Sequence, residues 1–434
     1  MREILGLFFR RAGADVLARL ATLVLLFFLA RCWSVAFFGR FALALTIGTV
    51  ASLVMDGGCH LIFLREFGRS CGDGYSRDAS SFRVWKEYVS AKMMTVAMGV
   101  GVGLLAVFVF WPWKGFILPL SLVCWAVGQS WVEFLNVIPN ATGRIEWSAF
   151  LLGSHRILTI GPALWVALRN SSGPTEVGVC LGLGSVVAAA LGHFLTSHRF
   201  FGDQKGPLHW REGVRSLRRV GWVGGALAIY TVGFRMGIFL LPRLSDAAQV
   251  GYYGAVHKLI ESALMVPVAL MLVSTRFLVA LPDARDRKRM TKKMGVIVSV
   301  VAILWFAAGQ WAAPLGIRMA FGSAWGPSVS VFRWILVASA LGFINCFLYH
   351  VMVMKDLLSN FFWVEVVGFG VSLATTFFFA ERFGAIGAAL GLICFESARL
   401  LLGGFTVWRT MRDDLSQDVK TMPVLGRPAS TGPL

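Results

Sequence analysis

Fifteen ionisable side chains lie inside or at the edge of long apolar runs of this sequence, and these are the residues placed to do chemistry. The cations are Arg19, Arg31, Lys92, Arg156, Arg235, Lys258, Arg276, Arg333 and Arg399; the acids are Asp15, Asp56, Glu133, Glu261, Glu365 and Glu396. A charge near the centre of a bilayer costs at least ~2.5–3.5 kcal/mol on insertion scales, so such groups face a polar interior. So many in one chain imply a water-filled cavity, and the excess of cations implies that the cavity receives an anion.

Several of the fifteen have plainer readings. Asp15, Lys92, Arg276 and Glu365 fall within a turn or two of the interface that carries the basic loops, and there they can snorkel. Glu396 and Arg399 are spaced i, i+3 and neutralise each other, and Lys258 with Glu261 has the same spacing, so pairing quenches half of that site. Asp56-Gly57-Gly58 is as well suited to break or hinge a helix as to bind. His60, His257 and His350 are isolated, and a structural role is favoured over proton relay. Arg31, Arg156, Arg235 and Arg333 remain, none with an acid three or four residues away in its own helix. A guanidinium stays ionised and presents a fork of donors that suits phosphate oxygens. Each of these four either contacts substrate or makes a salt bridge to another helix, while a cavity drawn from all four would suit a pyrophosphate. With Lys258 they form the candidate binding set; Asp56, Gly57 and Glu261 are candidates for hinge or coupling.

Other chemistries lack their residues. The seven cysteines are scattered and form no CxxC pair, so neither a disulfide framework nor a metal site is expected. No P-loop, no spaced metal ligands and no nucleophile with its base occur, and no cofactor or catalytic residue is expected. Gly99, Gly101 and Gly103 and the GxxxG spacings Gly178/Gly182 and Gly387/Gly391 sit within apolar runs, where close helix packing is the better reading.

The elements that position these charges follow from composition. Hydrophobic residues make up 57% of the 434 and charged residues 15%, with 47 glycines; soluble domains average about 45–50% apolar and 25% charged. The apolar residues gather in runs of about 20, long enough to cross a bilayer. Twelve such runs are expected, at 13–35, 41–64, 88–111, 115–137, 148–168, 176–197, 219–241, 252–275, 294–313, 328–351, 361–380 and 385–408. A soluble enzyme, a secreted disulfide scaffold and a disordered regulator are excluded. The net charge of +18 is not a nucleic-acid signal, because the basic residues sit in the connectors. Taking the connectors alternately, 26 Lys and Arg fall on the side of the termini and 6 on the other. That bias places both termini and the long loops in the cytoplasm. Tryptophans near the span ends, among them Trp111, Trp113, Trp325 and Trp408, suit the interface. The first run is read as a retained helix rather than a signal peptide, and the tail from 409 is expected to be disordered.

An internal repeat organises the runs. Phe38-Gly39-Arg40-Phe41-Ala42-Leu43-Ala44 opens the second, and Val250-Gly251-Tyr252-Tyr253-Gly254-Ala255-Val256 opens the eighth, at an offset of 212; the same offset carries Arg31 onto Arg243. Six spans apart, the halves share one orientation, a parallel repeat about an axis normal to the membrane, which is a transporter architecture. The expected fold is therefore all-α: twelve transmembrane helices in two pseudo-symmetric six-helix bundles, 1–197 and 219–408, joined by a cytoplasmic linker, 198–218, and followed by the tail, 409–434.

These residues also carry a resemblance. Phe37 to Arg69, with Gly39 and Phe41, Asp56-Gly57 and Arg65-Glu66, resembles the first-half signature of the polysaccharide (O-antigen type) flippases of the multidrug/oligosaccharidyl-lipid/polysaccharide (MOP) exporter superfamily. Ala247 to Met271 is similar to the matching second-half signature. Many relatives carry an acid shortly after an arginine of the seventh helix; here Arg235 is followed by Met236-Gly237, so that position lacks its acid. The resemblance implies alternating access in a bacterial inner membrane, with a polyprenyl-pyrophosphate-linked oligosaccharide as cargo. Membrane lipids and a polysaccharide polymerase with its chain-length machinery are the implied partners; nucleic acid is not. A multidrug exporter of the same superfamily is the alternative, although a cationic drug would favour net acid in the cavity. A membrane-embedded glycan polymerase is less well supported, because the outer connectors are short.

Overall fold

The computed structural model describes residues 20–60, 63–64, 66–67, 79–169, 173–202, 204, 206–271 and 284–421, and among these there is no β-strand. Asp15, Arg19, Arg65, Arg276 and the tail beyond Thr421 lie outside the described residues. The helices are α1 (Leu20–Cys32), α2 (Val35–Asp56), α3 (Ala79–Phe110), α4 (Ile117–Ala141), α5 (Ile145–Ala167) and α6 (Pro174–Phe201). Next come α7 in two pieces (Trp210–Phe234 and Met236–Leu244), α8 (Ala247–Met271), α9 (Ala284–Phe321) and α10 (Pro327–Met354). The last helical stretch, Leu358–Thr421, bends at Gly384 (φ +55°) into α11 (358–383) and α12 (385–421). Counting the bent α7 as one span and the Gly384 joint as a division, the twelve expected spans are all represented.

Local chemistry explains the boundaries. Ser34 caps α2 by accepting from the Phe37 N–H, and Asp246 caps α8 by accepting from the Gln249 N–H at 2.8 Å. The two caps keep the register of the repeat, Asp246 preceding Gly251 by the same step as Ser34 precedes Gly39. Gly57, left-handed at φ +49°, ends α2 with its N–H on the Leu53 carbonyl, and Gly58 is left-handed as well. At the Gly384 bend the side-chain oxygen of Gln249 takes up the Ala385 N–H at 3.0 Å. Three helices outrun their apolar runs. Helix α3 starts at Ala79, α9 starts at Ala284, and α12 continues to Thr421 into the segment expected to be disordered. Hydropathy reports how much of a helix is apolar; Lys and Arg extend a helix into water without interrupting it.

Packing separates the two ends of the bundle. At the end opposite the basic loops, called outer because the charge count assigns it there, one cluster of buried side chains draws on both halves: Leu29, Phe38 and Phe41 with Val250, Tyr253, Phe321 and Trp325. At the inner end the clusters stay apart. Phe63, Trp85, Phe134 and Phe200 form one within the first half, and Val351, Met352, Phe361 and Val407 form another within the second. The inner piece of α7 touches both halves: Ala226 belongs to the second-half cluster, while the His209 N–H donates to Ser90 Oγ at 3.0 Å and Ser216 Oγ donates to Glu87 at 2.6 Å in the first half. The small residues serve close approach where two backbones meet: a Cβ on Gly182 of α6 would lie 2.5 Å from the Ser121 carbonyl of α4.

Candidate functional site

Among the described residues, three groupings of charged side chains within the spans concern the candidate site. The first belongs to α2, α3 and α4. Asp56 closes α2 just before the left-handed glycines, and His60 Nδ1 stands 3.7 Å from its carboxylate. Lys92 is fully buried, with Nζ donating to the Met55 carbonyl at 2.9 Å and to Ser130 Oγ at 2.6 Å, and with the Phe134 ring 5.8 Å away. Lys92 therefore does not snorkel. The Met55 carbonyl it binds is in the last turn of α2, where the glycine break removes the helical donor. Gln129 and Glu133, one turn apart on α4, are joined at 2.5 Å.

The second grouping lies between α11, α12, α10 and α7. Arg399 donates to Glu365 Oε1 through Nε at 3.0 Å and Nη2 at 2.8 Å, and to Glu396 Oε2 at 2.6 Å. Asn345 donates to the same Glu396 oxygen at 2.6 Å, and the Tyr230 ring lies 4.4 Å from the guanidinium. Glu365 and Glu396 are fully buried. The i, i+3 spacing of Glu396 and Arg399 does give a pair, but Glu365 is a second partner of the same arginine rather than an interfacial group. Sequence position gives depth along a helix and not the face that the residue occupies, which is why Glu365 reads as interfacial.

The third grouping sits at the break in α7. The two pieces of this helix meet at Arg235 with a bend of 40°. Arg235 is nearly buried, and its guanidinium meets the Glu261 carboxylate of α8 while also donating to the Thr231 carbonyl at 3.3 Å. Lys258 Nζ binds the other Glu261 oxygen at 2.7 Å. Two cations thus share one carboxylate, which leaves a net positive charge, and Glu261 and Lys258 keep part of their surface open, 28% and 15%. Breaking α7 leaves the Phe234 carbonyl without its helical donor, and His257 Nε2 of α8 takes its place at 3.0 Å. Arg235, one of the four arginines that lack an acid in their own helix, makes the cross-helix salt bridge that its sequence position left open.

The other three do not gather around it. Arg156 is half-buried near the middle of α5, with its carbonyl accepting from Thr159. Arg333 is exposed in the second turn of α10, beside Trp334 and away from the packed face formed by Val331, Ile335 and Leu336. Arg31 ends α1 at the outer end, where Nε donates to the Ala320 carbonyl at 3.2 Å and Nη2 donates to that of Met319. By helix rise, the nine residues of the outer piece of α7 set Arg235 about 13 Å below that end. Sequence reasoning missed Asn345 and Gln129, each a lone amide in an apolar run. A polar side chain that cannot reach an interface was the available signal for both.

Among the described residues no group of three His, Cys, Asp or Glu could hold a metal. No family model matches the chain, and no curated protein does. Solved structures do. A lipid II flippase, MurJ, in an inward closed conformation superposes with a TM-score of 0.69 over 92% of this chain and 87% of that one, at 10% identity. An inward-facing multidrug resistance MATE family transporter of the MOP superfamily gives 0.57 over 91% and 96%, at 13% identity. A point mutant of the Vibrio cholerae MATE transporter VcmN gives 0.55 over 96% and 98%, at 12% identity. Those neighbours are transporters and flippases, and the chain shares their fold.

Proposed function

We propose that the protein is a flippase that carries a polyprenyl-pyrophosphate-linked oligosaccharide from the inner to the outer leaflet of a bacterial cytoplasmic membrane, with both termini inside. The observation that carries the reading is the pair Arg235 and Lys258 on the single carboxylate of Glu261. An incoming diphosphate can take over the donors that Glu261 holds in its absence, so the cations stay paired throughout and the site need not bury a bare charge. The likeness to a lipid II flippase supports a lipid-linked cargo. Arg156 and Arg333 are candidates for secondary contacts along the path, Asp56 and Gly57 for a hinge, and Glu261 for the group that exchanges with substrate. Arg31 is left out of the binding set because its donors are already engaged at the outer end. A polysaccharide polymerase and its chain-length machinery would be the partners that use the product. Outward movement of an anion is favoured by an inside-negative potential by ~2.3 kcal/mol per charge per 100 mV.

The test is flipping of a fluorescent polyprenyl-pyrophosphate oligosaccharide in proteoliposomes. Loss of a charge-assisted hydrogen bond should lower the rate about ten- to a hundredfold in Arg235→Ala and Lys258→Ala at unchanged protein level. A second reading, a multidrug exporter, is supported by the likeness to MATE transporters and by the acids Asp56 and Glu133 in the first half. Efflux of an organic cation such as ethidium, with no lipid flipping, would select that reading instead.

A further inference from the structure

The contacts that close the outer end come in two matched sets. Arg31, in the last turn of α1, donates to the carbonyls of Met319 and Ala320 in the last turn of α9. Arg243, in the last turn of α7, donates to the Val109 carbonyl in the last turn of α3. The first contact runs from the first half onto the second, and the other runs back. Arg243 is Arg31 carried forward by the repeat, and Met319 and Ala320 fall within two positions of where the repeat carries Val109. Four residues before each arginine is a phenylalanine with its own partner across the same joint. Phe27 meets Phe321 edge-on at 5.2 Å, and Phe239 meets Phe110 at 4.8 Å; Phe239 is Phe27 displaced by the same offset.

Between the two joints α2 crosses α8 where the repeat meets itself. A Cβ on Gly39 would overlap the Ala247 carbonyl and lie 2.7 Å from the Gly251 nitrogen, and one on Gly251 would overlap the Val35 carbonyl. A Cβ on Gly254 would lie 2.8 Å from that of Ala42. Gly39 with Gly251 and Ala42 with Gly254 are again related by the repeat, so the crossing lies on the pseudo-twofold axis with one joint on each side. The carbonyls that the arginines engage belong to helix C-termini, which lack intrahelical donors and carry the negative end of the helix dipole. Arg31 and Arg243 are themselves exposed, so water can satisfy both partners once the joint parts. A contact of this kind closes a gate without sealing it.

We propose that Arg31 and Arg243 are paired latches of the outer gate, each capping the C-terminus of the third helix of the opposite half, and that the outer end opens only when both release. The inference does not depend on the cargo being a lipid. Spin labels on Lys114→Cys and Ser323→Cys in a cysteine-free background report the distance between halves at the outer end by pulsed dipolar spectroscopy. Arg31→Ala and Arg243→Ala should each move the closed-to-open ratio toward open by about two- to fivefold, and the double variant by the product of the two. Lysine at either position should restore most of the closed population, because an ammonium also donates to carbonyls. Arg318→Ala, which removes an exposed cation from the same end of α9, should leave the distribution unchanged. The proposal is overturned by an unchanged distribution in the double variant, by a shift from one arginine only, or by an equal shift in Arg318→Ala. Melting temperature measured alongside separates gate opening from misfolding, since a latch predicts an opened but intact protein.

Discussion

The outer end and the mid-membrane region of this protein treat the internal repeat in opposite ways. At the outer end the helix caps Ser34 and Asp246, the crossing glycines Gly39 and Gly251, the arginines Arg31 and Arg243 and the phenylalanines Phe27 and Phe239 all recur at one offset. At mid-depth these polar groupings do not recur. The first half buries a lysine on a carbonyl and a hydroxyl, whereas the second buries an arginine on two carboxylates and sets a second cation pair at a broken helix. Closing a gate between two bundles makes the same demand on each, so symmetry persists there. If cargo meets the two halves from different sides, as the proposed function has it, their charges are free to diverge.

The comparison breaks most visibly at Arg399. Arg399→Leu strands Glu365 and Glu396 in a buried site and should destabilise the protein by ~3–5 kcal/mol, seen as lost yield and a lower melting temperature. Adding Glu365→Gln and Glu396→Gln should recover most of that loss; no recovery would mean that Arg399 acts through packing on Tyr230 and Phe395. A smaller loss, ~1–3 kcal/mol, is expected for Lys92→Met, which leaves the Met55 carbonyl and Ser130 without their donor. Equal melting temperatures for Lys92→Met and wild type would show that water replaces the ammonium and that the two halves are less different than their residues imply. Glu261→Gln sharpens the contrast between scaffold and site: it should cost less stability than Arg399→Leu, because Glu261 and Lys258 are partly open and Arg235 keeps its bond to the Thr231 carbonyl, yet alter transport at matched expression. Smallest of all is Arg333→Ala, an exposed substitution expected to change stability by no more than ~0.5 kcal/mol. If export is also unchanged in the alanine variant, Arg333 leaves the binding set; partial rescue by Arg333→Lys would indicate bidentate grip on phosphate.

Much of this architecture is legible in the sequence, because the bilayer imposes length and charge rules on each span. The twelve runs follow from those rules, and the repeat register at Gly39 and Gly251 can be read beside them. Pairing across helices does not follow from them. Arg235 and Glu261 stand on different helices, and no spacing rule links them, whereas Lys258 and Glu261, one turn apart, are paired as their spacing suggests. Lys92 and Glu365 read as interfacial for a related reason: their distance from a span end can be counted, but their facing cannot. The partners of Arg31 are backbone carbonyls, which every residue carries, so side-chain patterns hold no trace of that contact.

The imidazole of His257 gives the bend in α7 a mechanical meaning. By holding the Phe234 carbonyl that the break exposes, it ties the end of the inner piece of α7 to α8 and fixes the joint on which the outer piece can turn. The outer piece is then a lever about 13 Å long, pivoting at Arg235. Straightening its 40° bend would sweep the tip through about 9 Å, a stroke well beyond the reach of a hydrogen bond. The tip carries Arg243. A displacement at the cationic pair, where substrate would arrive, would thereby be geared to release at the far surface, and His257→Ala should loosen the pivot, broadening the distance distribution of a spin label at Ser245→Cys relative to one at Lys114→Cys.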